Sequence, residues 1–90
     1  MTDTTLSEQL AAFSVRTVRD GAPKDVRTSV RQRVLDVFGL QLAARGLETS
    51  RGALAYAHTQ SGPGQSHVVG DTGCISAPWA AFANGVLAHS

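Results

Sequence analysis

The sequence predicts a mainly α fold of about four helices with one short β-hairpin, and three observations predict it. Apolar residues recur at three- and four-residue spacing through most of the chain. Gly and Pro punctuate it at residues 21–23, 46 and 62–64. His67-Val68-Val69 and Cys74-Ile75 flank the turn Gly70-Asp71-Thr72-Gly73 as a small hairpin would. Ninety residues make at most one small domain, which buries about two thirds of the surface its unfolded chain exposes, so the core is thin. A hydrophobic content of 42% with nine glycines is ordinary for a globular protein, which predicts ordered helices with one apolar side left uncovered.

The first helix follows from Leu6, Leu10 and Phe13 behind polar Thr4 and Thr5, and spans about residues 5–15, with Val18 in register to extend its apolar face. Asp20-Gly21-Ala22-Pro23 then breaks the pattern. Pro23 suits the first turn of the second helix, where its missing N–H costs nothing, and Asp25 favours the positive end of that helix dipole. Val26, Val30, Val34, Val37 and Phe38 form one stripe, while Arg27, Arg31 and Arg33 lie towards solvent. From Val34 onward Leu35, Leu40, Leu42, Ala43 and Ala44 fill the other faces, so this half demands burial on nearly all sides before Gly46 ends it. A chain of this size can hardly enclose such a helix, which points to further protein around it.

Thr49 or Ser50 is placed to cap a third helix through Ala53, Leu54, Tyr56 and Ala57, stopped by Ser61-Gly62-Pro63-Gly64. Residues 67–69 and 74–75 then read as strands of a hairpin with a turn of about four residues, marginal unless helices lie beneath it. Ser76 caps the fourth helix, with Pro78 in its first turn. This helix carries Phe82, Val86 and Leu87 among alanines, a composition made for close helix packing, and the sequence offers nothing after it to cover that face.

Eight basic against seven acidic residues leave a net charge of +1, which gives no basis for attraction to nucleic acid or to an anionic membrane. The most apolar stretch, residues 34–44, is interrupted by Asp36 and Gln41 and is far shorter than the roughly 20 residues of a membrane span. A single cysteine, Cys74, has no internal disulfide partner, and the start of the chain lacks the basic and apolar parts of a signal peptide; together these point to the cytoplasm.

Candidate chemistry is sparse. His58, His67 and His89 show no metal-ligand spacing, so each is read as a satisfied surface or packing residue and no metal is expected. Cys74 has no base or helix terminus near it in sequence to lower its pKa, and is read as a small buried hydrophobe of the second strand. Gly62-Pro63-Gly64 lacks the further residues of a phosphate loop and is a turn. Arg27, Arg31 and Arg33 make a solvated face or salt bridges between subunits. Asp36, amid Leu35, Val37 and Phe38, is read as a buried structural acceptor for a helix end or an arginine, because a buried carboxylate must be paired.

Three blocks carry a family resemblance. Residues 76–89, from Ser76-Ala77-Pro78 through Ala83-Asn84-Gly85 to His89, resemble the stretch that leads into an aspartate-rich active-site segment in the MmgE/PrpD family. That family includes 2-methylcitrate dehydratase and cis-aconitate decarboxylase. The acidic segment itself does not occur in this sequence. Residues 30–44, with Leu35, Asp36 and Gly39, resemble the family's long early helix, and residues 62–70 with Ile75-Ser76-Ala77-Pro78 resemble its short strand pair. The order of the blocks is the family's order, over nearly the whole chain and over only the amino-terminal part of a complete member.

The resemblance implies that residues 1–90 are a single partial helical domain, the start of the family's all-helical domain. Known members are mostly lyases that remove a proton next to a carboxylate of a small di- or tricarboxylic acid with loss of water or carbon dioxide; others are isomerases. They use no organic cofactor and commonly form homodimers. His89 is the one catalytic candidate, read either as a residue at the edge of the substrate pocket in a complete assembly or as a solvated histidine at a helix end. The first reading is therefore a truncated or split member, inactive alone and in need of a complementary chain. The alternative is a non-catalytic helical module that self-associates or binds a partner through the apolar faces of its second and fourth helices. A new enzyme with a site shared between identical subunits, using His89 and Asp36, ranks last.

Overall fold

The computed structural model describes residues 3–90, so Met1 and Thr2, part of the start read above for a leader signal, lie outside the described residues. Four helices and one two-stranded antiparallel ribbon follow in the order α1 (Leu6–Asp20), α2 (Lys24–Ala44), α3 (Glu48–Gln60), β1 (Ser66–His67), β2 (Cys74–Ile75) and α4 (Ala77–His89). This is the mainly α class with a short hairpin that the periodicity predicts. The chain divides into two compact units, one up to Gln32 and one over Arg33–Ser90, with the division inside α2.

In the first unit α1 opens on a capping box: the Thr5 hydroxyl accepts from the Glu8 N–H at 3.1 Å, and the Glu8 carboxylate accepts from the Thr5 N–H at 3.3 Å. The helix runs to Asp20, beyond the expected end near Val15. Its polar residues do not break it, because Ser14 and Thr17 donate their hydroxyls to the carbonyls of Leu10 and Phe13 one turn back. The stop comes at Gly21, whose φ of 79° is open to glycine at little cost and whose N–H bonds the Thr17 carbonyl at 2.8 Å. Pro23 stands just before the first residue of α2 rather than inside its first turn, and its carbonyl accepts from the Arg27 N–H at 3.0 Å. No residue of α1 is buried.

The core belongs to the second unit: Ala44, Ala57, Val68, Ile75, Ala80, Ala83 and Leu87, with Leu54 and Trp79 packed against them. Four of the seven are alanines, so α3 and α4 approach closely through Ala57, Ala80 and Ala83, and Leu87 is the largest side chain fully enclosed. Tyr56 of α3 meets Trp79 of α4 edge to face with ring centroids 5.6 Å apart, and within α4 Trp79 meets Phe82 in the same way at 5.7 Å.

Three expectations for this unit are corrected. The third helix starts behind Leu47, which has no capping side chain, and Thr49 and Ser50 lie within its first turn. Ser76 stands at the N-cap of α4 but does not cap it with its hydroxyl. Instead the Ser76 N–H donates to Ser61 Oγ at 2.9 Å and the two hydroxyl oxygens lie 3.0 Å apart, joining the end of α3 to the start of α4. The ribbon is also shorter than expected. Ser66 pairs with Ile75 and His67 with Cys74, leaving residues 68–73 as a six-residue loop. Val68 and Val69 leave the ladder because the core takes the Val68 side chain and α4 takes the Val69 N–H.

Of α2 only Gln41 and Ala44 are buried; Leu35, Val37, Phe38, Leu40 and Leu42 all remain exposed, Leu35 to 70%. The burial that its composition demands is not supplied by the described residues. Asp36 is likewise exposed and has no hydrogen-bond partner among them, so it is not the buried acceptor that its apolar neighbours suggest.

Gly64 makes the closest backbone approach. A β-carbon there would fall 2.2 Å from the Ile75 carbonyl oxygen, whereas one at Gly73 would meet nothing within 4 Å. We expect Gly64→Ala to cost about 1–3 kcal/mol by forcing the strand–helix junction apart. Gly73→Ala should stay within about 0.5 kcal/mol. Urea unfolding of the two variants followed by circular dichroism checks this, and equal midpoints would remove the close approach from the argument.

Candidate functional site

Two groups of polar side chains fix the hairpin onto the helices of the second unit. The first centres on Asp71 in the hairpin loop. Arg45, the residue after α2, crosses to the loop and donates from Nη1 to the Val69 carbonyl at 2.7 Å and from Nη2 to Asp71 Oδ1 at 2.5 Å. His58 of α3 meets the other carboxylate oxygen, with Nε2 2.9 Å from Oδ2. Gly70 provides the room, since at its φ of 89° a β-carbon would lie 2.7 Å from Arg45 Cδ. Asp71 thus joins three pieces of chain that are 13 and 26 residues apart.

Burial by itself works to raise the Asp71 pKa, but the hydrogen bonds and positive charge of His58 and Arg45 outweigh it and hold the carboxyl below its ordinary value. The Asp71 side chain is only 17% exposed, against 30% for Arg45 and 47% for His58. The imidazole is therefore the solvent-facing member of the cluster.

The second group centres on Asn84 in the middle of α4. Its Oδ1 accepts from the Val69 N–H and its Nδ2 donates to the His67 carbonyl, both at 2.9 Å. One carboxamide thereby replaces two ladder bonds that the ribbon does not form by itself. From the other side Gln41 of α2 donates Nε2 to the Asn84 carbonyl at 3.0 Å, while its own Oε1 is buried without a partner among the described residues. Ser50 Oγ is the other buried side-chain polar atom left without a partner among the described residues.

Of the residues singled out in the sequence, His89 is the last of α4 and exposed, and none of the other candidates bonds to it among the described residues. His58 is satisfied by Asp71. His67 and Cys74, seven residues apart, face each other across the ribbon with Sγ 3.7 Å from both ring nitrogens. Cys74 is exposed, not the buried hydrophobe expected of it, because Ile75 is the residue of β2 that points to the core. No group of three or more His, Cys, Asp or Glu side chains is placed to hold a metal ion among the described residues. Among the described residues no helix is long and apolar enough to cross a membrane.

The roles of Arg45, Asp71 and Asn84 were missed in the sequence. Arg45 ending an apolar run and Asp71 inside a Gly-x-x-Gly turn were the available signals, but their pairing depends on how the hairpin seats. The close-packed helices, the pinned ribbon and the uncovered apolar faces define a helical-domain segment. The family model described as MmgE/PrpD N-terminal domain matches residues 8–90, and the chain belongs to that family. No curated protein and no solved structure matches it.

Because Asp71 is held ionised more firmly in the fold than in the unfolded chain, it stabilises above the ordinary carboxylate range. That contribution drains away as the pH falls through the lowered folded value. We expect Asp71→Asn to cost about 1–3 kcal/mol at neutral pH. The deficit should shrink towards zero in acid below the unfolded Asp value of about 3.9, and denaturant unfolding at several pH values checks it. Asn84→Ala leaves the Val69 N–H and the His67 carbonyl unpaired and should cost about 1–3 kcal/mol. Asn84→Asp keeps the acceptor for the Val69 N–H but sets a carboxylate oxygen against the His67 carbonyl, so it should cost at least as much; amide hydrogen exchange at Val69 reports which bond was lost.

Proposed function

We propose that the chain forms the amino-terminal part of a larger MmgE/PrpD-type helical domain. In its complete form that domain acts as a cofactor-independent lyase or isomerase on a small di- or tricarboxylic acid. The observation that carries this reading is the uncovered half of α2, where Leu35, Val37, Phe38, Leu40 and Leu42 are all exposed. Full burial of one such side chain stabilises by about 1.5–3 kcal/mol. Five on one helix therefore amount to a strong preference for an apolar partner. Family membership supports a partner made of further helices of the same domain.

The chemistry requires a base next to the acidic carbon, an acid for the leaving group and cations for the substrate carboxylates. On this reading His89, at the end of α4, stands at the edge of the substrate pocket and hydrogen-bonds a carboxylate or a catalytic neighbour. The remaining groups come from segments outside this sequence. The second reading, a self-associating helical module, draws on the same faces together with the exposed Phe82 of α4.

The test mixes the purified chain with a polypeptide carrying the rest of a family domain from its aspartate-rich segment onward, and measures mass by light scattering. A defined one-to-one complex that turns over a small di- or tricarboxylate is the expected result. A compact homo-oligomer that ignores the added polypeptide would favour the self-associating module and overturn the first reading. In the active complex His89→Ala should abolish turnover and leave the complex mass unchanged. Unaltered turnover would remove His89 from the site.

A further inference from the structure

The juxtaposition of His67 and Cys74 is unused by the reading above and independent of it. The two residues are direct partners in the ribbon, so their side chains leave the same face of it, and both are exposed. Sγ lies 3.7 Å from Nδ1 and 3.7 Å from Nε2, which places the sulfur towards the ring face. A tetrahedral zinc ion with a sulfur at about 2.3 Å and a nitrogen at about 2.0–2.1 Å holds those two atoms about 3.6 Å apart. The two side chains are thus within reach of one ion once the exposed imidazole turns, so that a nitrogen lone pair rather than the ring face points at the shared position. That turn breaks no other bond of the ring. The backbone beneath is fixed, because Asn84 holds the His67 carbonyl.

We infer that His67 and Cys74 form half of a site for a thiophilic divalent cation of the zinc class, completed by the same pair from a second copy of this chain. One chain supplies one sulfur and one nitrogen, and the described residues bring no third metal-binding side chain to them. A two-fold axis through the ion doubles the pair to two sulfurs and two nitrogens, a common closed ligand set for structural zinc. Cation binding displaces the thiol proton of Cys74 to solvent, so uptake strengthens as pH rises. No motif hints at this pairing, because the two ligands stand seven residues apart without metal-ligand spacing. Only the ribbon register joins them.

The test titrates the full chain with zinc and, for its spectrum, with cobalt, under a phosphine reductant that prevents a disulfide dimer. The expected result is a doubling of mass in light scattering at one metal per two chains, reversed by a chelator. It comes with the visible ligand-field and thiolate charge-transfer bands of tetrahedral cobalt. Cys74→Ser and His67→Gln should each abolish the doubling with circular dichroism unchanged; should either unfold, Cys74→Ala and His67→Asn repeat the test. No uptake, uptake at one metal per chain without a change of mass, or doubling that survives either substitution would overturn the proposal.

Discussion

A ribbon with two residues in each strand cannot hold itself together in water, so the hairpin depends on what lies against it. The carboxamide of Asn84 meets that need by presenting both an acceptor and a donor to the hairpin backbone, at Val69 and His67. Its position in the middle of α4 makes the register of that helix the reference for everything around it. Once Val69 is pinned, its carbonyl is available to Arg45 and the loop carries Asp71 to the same guanidinium. With the His67 carbonyl held, His67 stands opposite Cys74. Gln41 ties the end of α2 to the same residue of α4 through its backbone.

This polar frame does work that the core is too small to do. Alanines make up most of the buried apolar set, and they bring α3 and α4 together without enclosing much apolar surface. Gly64 and Gly70 belong to the same economy of space: one lets backbone meet backbone beside Ile75, and the other lets the Arg45 side chain pass over the loop. Two buried polar atoms, Gln41 Oε1 and Ser50 Oγ, remain without partners among the described residues. Each such atom costs about 1–3 kcal/mol, a large debit for a core of this size.

The helices were legible because their periodicity and breakers act locally. The ends were less so. The spacing of Leu6, Leu10 and Phe13 predicts an end near Val15, with Val18 in register beyond it, whereas α1 runs to Asp20 and stops at Gly21, its Ser14 and Thr17 hydroxyls bonding back to the preceding turn. Thr49 and Ser50 have the chemistry of caps, but the tight turn after Ala44, closed by the Leu47 N–H on the Ala44 carbonyl, starts α3 before them. Residue type places Cys74 in the core, whereas strand alternation gives that place to Ile75. The Asp71 cluster was invisible for a different reason. Its members are scattered in sequence, and nothing local distinguishes Asp71 from any turn aspartate until the loop is seated against Arg45 and His58. Asp36 is exposed although its neighbours along the chain are apolar, because such neighbours signal burial only when something covers that face of the helix.

The division between satisfied and unsatisfied groups has a direction. In the second unit the long-range polar bonds connect the end of α2, the hairpin and α4, so their relative geometry is set within the chain. The apolar residues of α2 on either side of Gln41 (Leu35, Val37, Phe38, Leu40 and Leu42) are left open. Hydrogen bonds are directional and fix position, whereas apolar burial is roughly proportional to area and indifferent to fine orientation. A segment that fixes its own polar geometry while leaving apolar area uncovered is suited to docking as a preformed piece. Such docking would, on the proposed reading, cost little ordering entropy at the hairpin and draw its driving force from α2. On the proposed reading the end of α4 would then be delivered to the pocket by a helix already locked in place at Asn84, before the partner surface arrives.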